Sequence, residues 1–192
     1  MLSFDDVDRN PRALEEFSRT LTPNDLRRLT NGMIDEILHL ISECQDADVI
    51  FEPSDPDAED TYAATPEEVS MPWTLGHVVV HATASSEESA ALAAEHARGV
   101  LHHGRSRYEV PWREVKTIQE CRARLEESRR MRLASLDMWP DKPHLENVSA
   151  FIPQWPELNA VSRFLVGLMH DQEHLGQIAD IVGQARRARG AA

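Results

Sequence analysis

The sequence predicts an all-α fold, a four-helix bundle with a short extra helix at its N-terminus. Three observations predict it. Apolar residues recur at a helical period through four long windows, capping signatures open helices, and no stretch of six residues alternates polar with apolar convincingly. Four long helices with two long connections form the pattern of a bundle.

Asn10-Pro11 caps and opens a short helix carrying Leu14, Phe17 and Leu21 on one side. Thr22-Pro23-Asn24-Asp25 supplies an N-cap, a proline at the first helical position and an acid at the capping-box position. Leu26, Leu29, Met33, Ile34, Ile37, Leu38 and Ile41 then carry the first long helix to about Cys44. Residues 46–70, acidic and interrupted by Pro53, Pro56 and Pro66, read as a long connection that either folds over the bundle's end or moves freely. A second long helix is expected from Ser70 or Met71, with Pro72 in its first turn, to Arg98, where Gly99 terminates it. After a loop over 100–116, Thr117-Ile118-Gln119-Glu120 is a capping box for a third, running to near Met138. Four prolines keep the next segment irregular, and the fourth is expected from Glu157 to Arg187. The domain reading is an N-terminal extension over 1–21, the bundle over 22–188 and a tail over 189–192.

Composition narrows the partners. The 192 residues suit one domain. Twenty Lys plus Arg against 33 Asp plus Glu give a net charge of −13, and no Lys or Arg falls between Asp46 and Glu68. Such a field repels a phosphate backbone, so nucleic acid is not an expected partner. The basic clusters Arg129-Arg130-Met131-Arg132 and Arg186-Arg187-Ala188-Arg189 read as solvated helix faces. No window reaches 18 apolar residues without charge, so no membrane span is expected. The start lacks the basic and apolar regions of a signal peptide, and Cys44 and Cys121 read as free buried thiols of a reducing compartment. The expectation is a cytoplasmic protein.

Nine histidines carry the chemistry. His39, His96, His144 and the pair His102-His103 fall near helix ends, in loops or alone on a face, and read as solvent-facing or capping. His170-Asp171-Gln172-Glu173-His174 differs: two imidazoles four apart on a helix can reach one cation. Gly167 before them, and Gly176 with Gln177 after them, suggest a region not packed by bulk. His77 and His81 share a stripe flanked by Val78 and Val80, and an imidazole buried there needs a partner. One or both, set against His170 and His174, would complete a three-histidine site with an open position, as catalytic metal sites keep. An inverted zincin needs a carboxylate ligand well downstream, and only 18 residues follow His174. The Glu-x-x-His pair of a di-iron bundle and the paired cysteines of a zinc finger are not supplied either.

Trp73-Thr74-Leu75-Gly76-x4-His81 resembles the second-helix motif of the DinB-like (DinB/YfiT) superfamily, and His170-x3-His174-Leu175-Gly176-Gln177-Ile178 resembles the motif on that family's last long helix. The resemblance covers roughly residues 23 to 186. It implies an up-down-down-up bundle, often dimeric, so a homodimer is expected. It also implies a divalent metal, commonly zinc or nickel, on His81, His170 and His174. His77 then lines the pocket or supports a ligand, unless the register is one turn off and it replaces His81. Many members carry a further histidine where this chain has Glu173. Members with known chemistry are S-transferases and isomerases using a low-molecular-weight thiol; others are regarded as metal-dependent hydrolases or have no demonstrated activity.

Three neutral imidazoles leave the metal its full charge, which acidifies whatever fills the open position: a water for hydrolysis, or a thiol for S-transfer to or from a small-molecule substrate. Glu88, seven residues after His81, is a candidate proton acceptor or ligand orienter. Gln177 and Asp171 are candidates to orient a ligand imidazole, and Arg105 and Arg107 to hold an anionic substrate. The other class of reading is a metal-binding or stress-associated bundle without turnover.

Overall fold

A computed structural model describes residues 11–60, 63, 65–104, 110–153 and 155–190. Among these the chain forms six α-helices: α1 Pro11–Ser18, α2 Pro23–Leu40, α3 Asp46–Val49, α4 Leu75–Ala97, α5 Ile118–Asp137 and α6 Ala160–Gly190. The described residues contain no strand, only an isolated antiparallel bridge between Ser149 and Leu158. None of their helices is long and apolar enough to cross a membrane.

Two of the helix starts are where the capping chemistry put them. Thr22 Oγ1 accepts the Asp25 N–H at 3.3 Å while Asp25 Oδ2 accepts the Thr22 N–H at 2.8 Å. Those bonds to Thr22, with Arg28 nearby, hold the Asp25 carboxyl down at about 2. Thr117 and Glu120 repeat the exchange at 3.2 and 2.8 Å. Two starts fall later than expected. Residues 71–74 are not helical and α4 begins at Leu75, because Thr74 is its cap and accepts the His77 N–H at 3.3 Å. Pro72, which disfavours a helical residue before it, stays outside. Asn159 Oδ1 accepts the Ser162 N–H at 3.0 Å, which moves the start of α6 from Glu157 to Ala160. At the other end α2 stops at Leu40, short of Cys44, while α6 continues to Gly190.

The long helices pack as a ring in which α2 and α4 each touch both α5 and α6. Leu26, Ile34, Ile37, Leu75, Leu125, Phe164, Leu165 and Leu168 fill its centre, each almost wholly buried. On α4 the buried positions are mostly small: Ala82, Ala84, Ser86, Ser89, Ala90, Ala93 and Ala94. Gly167 of α6 lies directly against them. A Cβ there would stand 3.0 Å from both the Ser86 Cα and the Ser89 Cβ. The expectation of loose packing is thus corrected at Gly167, which is the point of closest approach, and holds at Gly176, where a Cβ would meet nothing within 4 Å.

The 46–70 connection, expected either to fold over the bundle's end or to move freely, is held at its described residues. It contains α3 and a 3-10 turn over Pro66–Glu68, and it is tied to the bundle. The Ile118 N–H donates to Asp46 Oδ1 at 2.9 Å, Gln184 bonds both backbone groups of Ser54 at 2.8 and 3.1 Å, and Glu68 pairs with Arg113.

Two polar groups expected at the surface are buried instead. Arg132 was grouped with a solvated basic face, but its side chain is 1% exposed and pairs with Asp171, 0% exposed, on α6. The other arginines of that cluster keep more surface character, Arg130 pairing with Glu127 and Arg129 with Asp35 and Glu126. His96, 1% exposed, sits inside rather than at the surface, with Nε2 3.3 Å from Ser149 Oγ. His39, His102, His103 and His144 are exposed as expected.

These two sites generate measurable outcomes. Arg132→Met or Asp171→Leu alone should cost about 3–5 kcal/mol in denaturant unfolding, because each strands a buried charge, and the double substitution should cost much less. Equal losses in all three variants would refute this. Burial, reinforced by the charges of Arg163 and His102 and opposed by Glu95, lowers the His96 pKa below 6.5. The unfolded chain then takes up the proton first, so stability present above pH 6.5 is lost as pH falls toward the folded value. Thermal unfolding of His96→Gln should show a flatter dependence between about pH 7 and 5 than the parent.

Candidate metal centre

The close approach at Gly167 sets the site's geometry. Thr74 fixes where α4 begins and therefore which face His81 occupies; His170 and His174 stand one turn apart on α6. His81 Nε2 lies 3.1 Å from His170 Nε2, and one ligand nitrogen from each of His81, His170 and His174 falls within 4.8 Å of the others. Ring centroids are 4.6 to 5.2 Å apart.

Gln177, one turn beyond, presents Oε1 at 2.8 Å from His174 Nδ1. An amide oxygen only accepts, so Nδ1 carries the proton and Nε2 keeps its lone pair. Burial lowers the His174 pKa, with the His81 charge adding to it and the Gln177 bond opposing it, which favours the neutral ring a metal requires. Gln177, a candidate from the sequence to orient a ligand imidazole, is thus placed against the His174 ring.

His77 does not join the three. It is 8% exposed and lies between two indoles, with Trp73 at 4.4 Å and 27° and Trp112 at 4.4 Å and 3°. Trp73 also reaches His81 at 4.6 Å and His174 at 5.9 Å between ring centroids. Sequence reasoning assigned no role to either tryptophan. Trp73 directly before the α4 cap was an available signal, whereas Trp112 comes from a distant loop.

Asp171 is corrected as a ligand orienter. Its carboxylate turns toward Arg132 and lies 2.7 Å from Ser86 Oγ. Glu88 is half-buried on α4, about 10 Å along the axis from His81 at 1.5 Å per residue. It is not among the three clustered groups. Arg105 and Arg107 lie outside the described residues.

Two cavities flank the residues before α4. One, of about 280 Å³, is lined by His174, Gln177, Trp73 and Met71 together with Asp55, Asp57 and Glu59 of the acidic connection. The other, of about 580 Å³, is lined by Met71, Pro72, Trp112, Arg113 and Ile50, among others. Met71 borders both.

The donor set suits a metal. Two ligands bonded at about 2.05 Å in tetrahedral geometry stand about 3.3 Å apart, close to the 3.1 Å between His81 and His170. A family model described as the DinB superfamily matches residues 7–178. No characterised protein and no solved structure matches the chain.

The cysteines contribute no nucleophile. Cys121 is 0% exposed and burial pushes its thiol up to about 12; burial raises Cys44 as well. Neither should react with a disulfide reagent in the native protein at about pH 8, and both should react once it is unfolded. Rapid labelling of the folded chain would contradict the buried placement.

Proposed function

The chain belongs to the DinB superfamily, and on that premise we propose that it holds one divalent metal ion on His81, His170 and His174 and uses it to transform a small molecule. The observation that carries this reading is the convergence of three imidazole nitrogens from α4 and α6 within 4.8 Å. A shared cation accounts for two unlike-helix Nε2 atoms at 3.1 Å, and imidazole donors suit zinc and nickel. When bound, the metal supplies Lewis acidity, lowering the pKa of a water or thiol at its open position. Hydrolysis and low-molecular-weight-thiol transfer are the two reaction types this chemistry serves.

The chain's own residues complete the site. Gln177 holds the His174 proton on Nδ1. Trp73 covers one flank of the histidines, with the His77–Trp112 stack behind it. The pairings support the up-down-down-up course. Arg129 reaches Asn31, Arg122 reaches Ser42 and Arg27 reaches Asp137, so α2 and α5 are antiparallel; His81 beside His170 and Ser86 beside Gly167 make α4 and α6 antiparallel. Arg186 beside Glu43 brings the C-terminal ends of α2 and α6 together, so these two run the same way.

Metal analysis of protein purified without a histidine tag tests the reading. About one equivalent per chain is expected, falling to background in His174→Ala and His81→Ala while far-ultraviolet circular dichroism is kept. Gln177→Ala should retain the site with about 10–100-fold weaker affinity. A parent chain that takes up no zinc or nickel even when supplied would sink the proposal. Given occupancy, chelator-sensitive ester or amide hydrolysis separates one reaction type from chelator-sensitive thiol consumption, and neither would leave a metal-binding protein without turnover.

A further inference from the structure

The acidic connection, which the metal reading does not use, forms a wall of the cavity that opens on the candidate centre. Asp55, Asp57 and Glu59 line the same 280 Å³ space as His174, Gln177 and Trp73. Asp55 is half-buried and its Oδ1 accepts the Asp57 backbone N–H at 3.3 Å, while the Asp57 and Glu59 side chains are exposed at the cavity's rim. Among the described residues, no Lys or Arg lines this cavity and no ion pair involves these three acids. The residue directly before this wall is anchored, Ser54 exchanging two hydrogen bonds with Gln184 of α6.

We infer that the substrate of this centre is a small molecule carrying a positive charge, such as a primary amine or quaternary ammonium, whose cationic group sits against Asp55, Asp57 and Glu59 and Trp73. The inference rests on the metal reading, because the cation is useful only if it places a reacting bond beside His174. Three formal negative charges outweigh a divalent ion held by neutral imidazoles, so the cavity remains attractive to a cation with the metal in place. An indole face adds to that attraction. Anionic ligands are disfavoured by the same wall, although a metal alone would draw them. The cavity falls just below the usual range for small-molecule sites, which fits a compact head group. A longer apolar substituent could continue past Met71 into the 580 Å³ cavity beside Trp112.

Three probes of one size decide the matter: benzylamine, benzyl alcohol and benzoate, titrated calorimetrically into metal-free and zinc-loaded full-length protein. Benzylamine should bind about tenfold more tightly than benzyl alcohol in both forms, benzoate should be weakest, and added salt should narrow the gap. The triple variant Asp55→Asn/Asp57→Asn/Glu59→Gln, with unchanged thermal unfolding, should lose the benzylamine preference. A control neutralising Asp141, Glu146 and Glu157, which line neither cavity, should keep it and so remove the overall charge of −13 as the cause. Benzoate binding as well as benzylamine, or a preference that survives the triple variant, would overturn the inference. Metal uptake measured on the same samples reads the other proposal separately. Zinc bound with benzoate preferred would keep the metal centre and reject the cationic substrate. Benzylamine selected by a chain that takes up no metal would keep the acidic wall's role and reject the centre.

Discussion

The distance between α4 and α6 governs most of what this molecule can do. Gly167 lets the two backbones meet, since even a methyl group there would press on Ser86 and Ser89 at 3.0 Å. A run of alanines and serines on α4 extends that closeness over several turns. Histidines on larger neighbours would face each other across a gap that imidazoles cannot span. Here the side chains of His81 and His170 touch at 3.1 Å. Interiors pack tightly and respond in discrete steps, so the separation is a property of the whole contact and not of any one residue.

Close approach alone does not decide register, and the buried pair of Arg132 and Asp171 supplies that constraint. Asp171 follows His170 directly, so α6 cannot rotate to aim His170 elsewhere without pulling its neighbour off Arg132 of α5. Buried ion pairs are weak sources of stability because desolvation offsets attraction. They penalise wrong arrangements strongly, since any slip strands a charge in the core. Ser86 Oγ, 2.8 Å from the Gly167 carbonyl and 2.7 Å from Asp171, adds α4 to the same lock. Three helices are thus held in one relative position just where two of them present ligands.

What the sequence disclosed and what it hid divide along the range of the interactions. Capping boxes are local exchanges between residues three apart, so Thr22–Asp25 and Thr117–Glu120 could be read directly. The HxxxH spacing is equally local, and the family motif supplied the second helix. The α4 start was misjudged because Pro72 can open a helix as readily as precede one, and only the Thr74 bond decides between them. Arg132 looked like its neighbours Arg129 and Arg130, since its partner lies 39 positions away. Asp171 is one place from His170, but the helix turns it about 100° away, onto Arg132 and Ser86. His96 was invisible for the same reason, its burial being made by the Ser149 segment.

The acidic connection shows how the same limit bears on function. Its composition fits a strap folded over the bundle's end as well as a mobile one, and nothing in its own letters says where it rests. Two hydrogen bonds from Gln184, 130 positions away, decide that. Once it is placed, its charge stops being a general feature of an acidic chain and becomes a local field beside His174. Carboxylates gathered beside one opening act more strongly on a neighbour than the same charges spread over the whole surface. On the proposed reading, a segment that reads as linker sets the electrostatic character of the opening, while the histidines behind it hold the metal. What the site admits and what it holds are then decided by different stretches of the chain, and Trp73, stacked near the histidines and lining the same cavity as the acids, is where they meet.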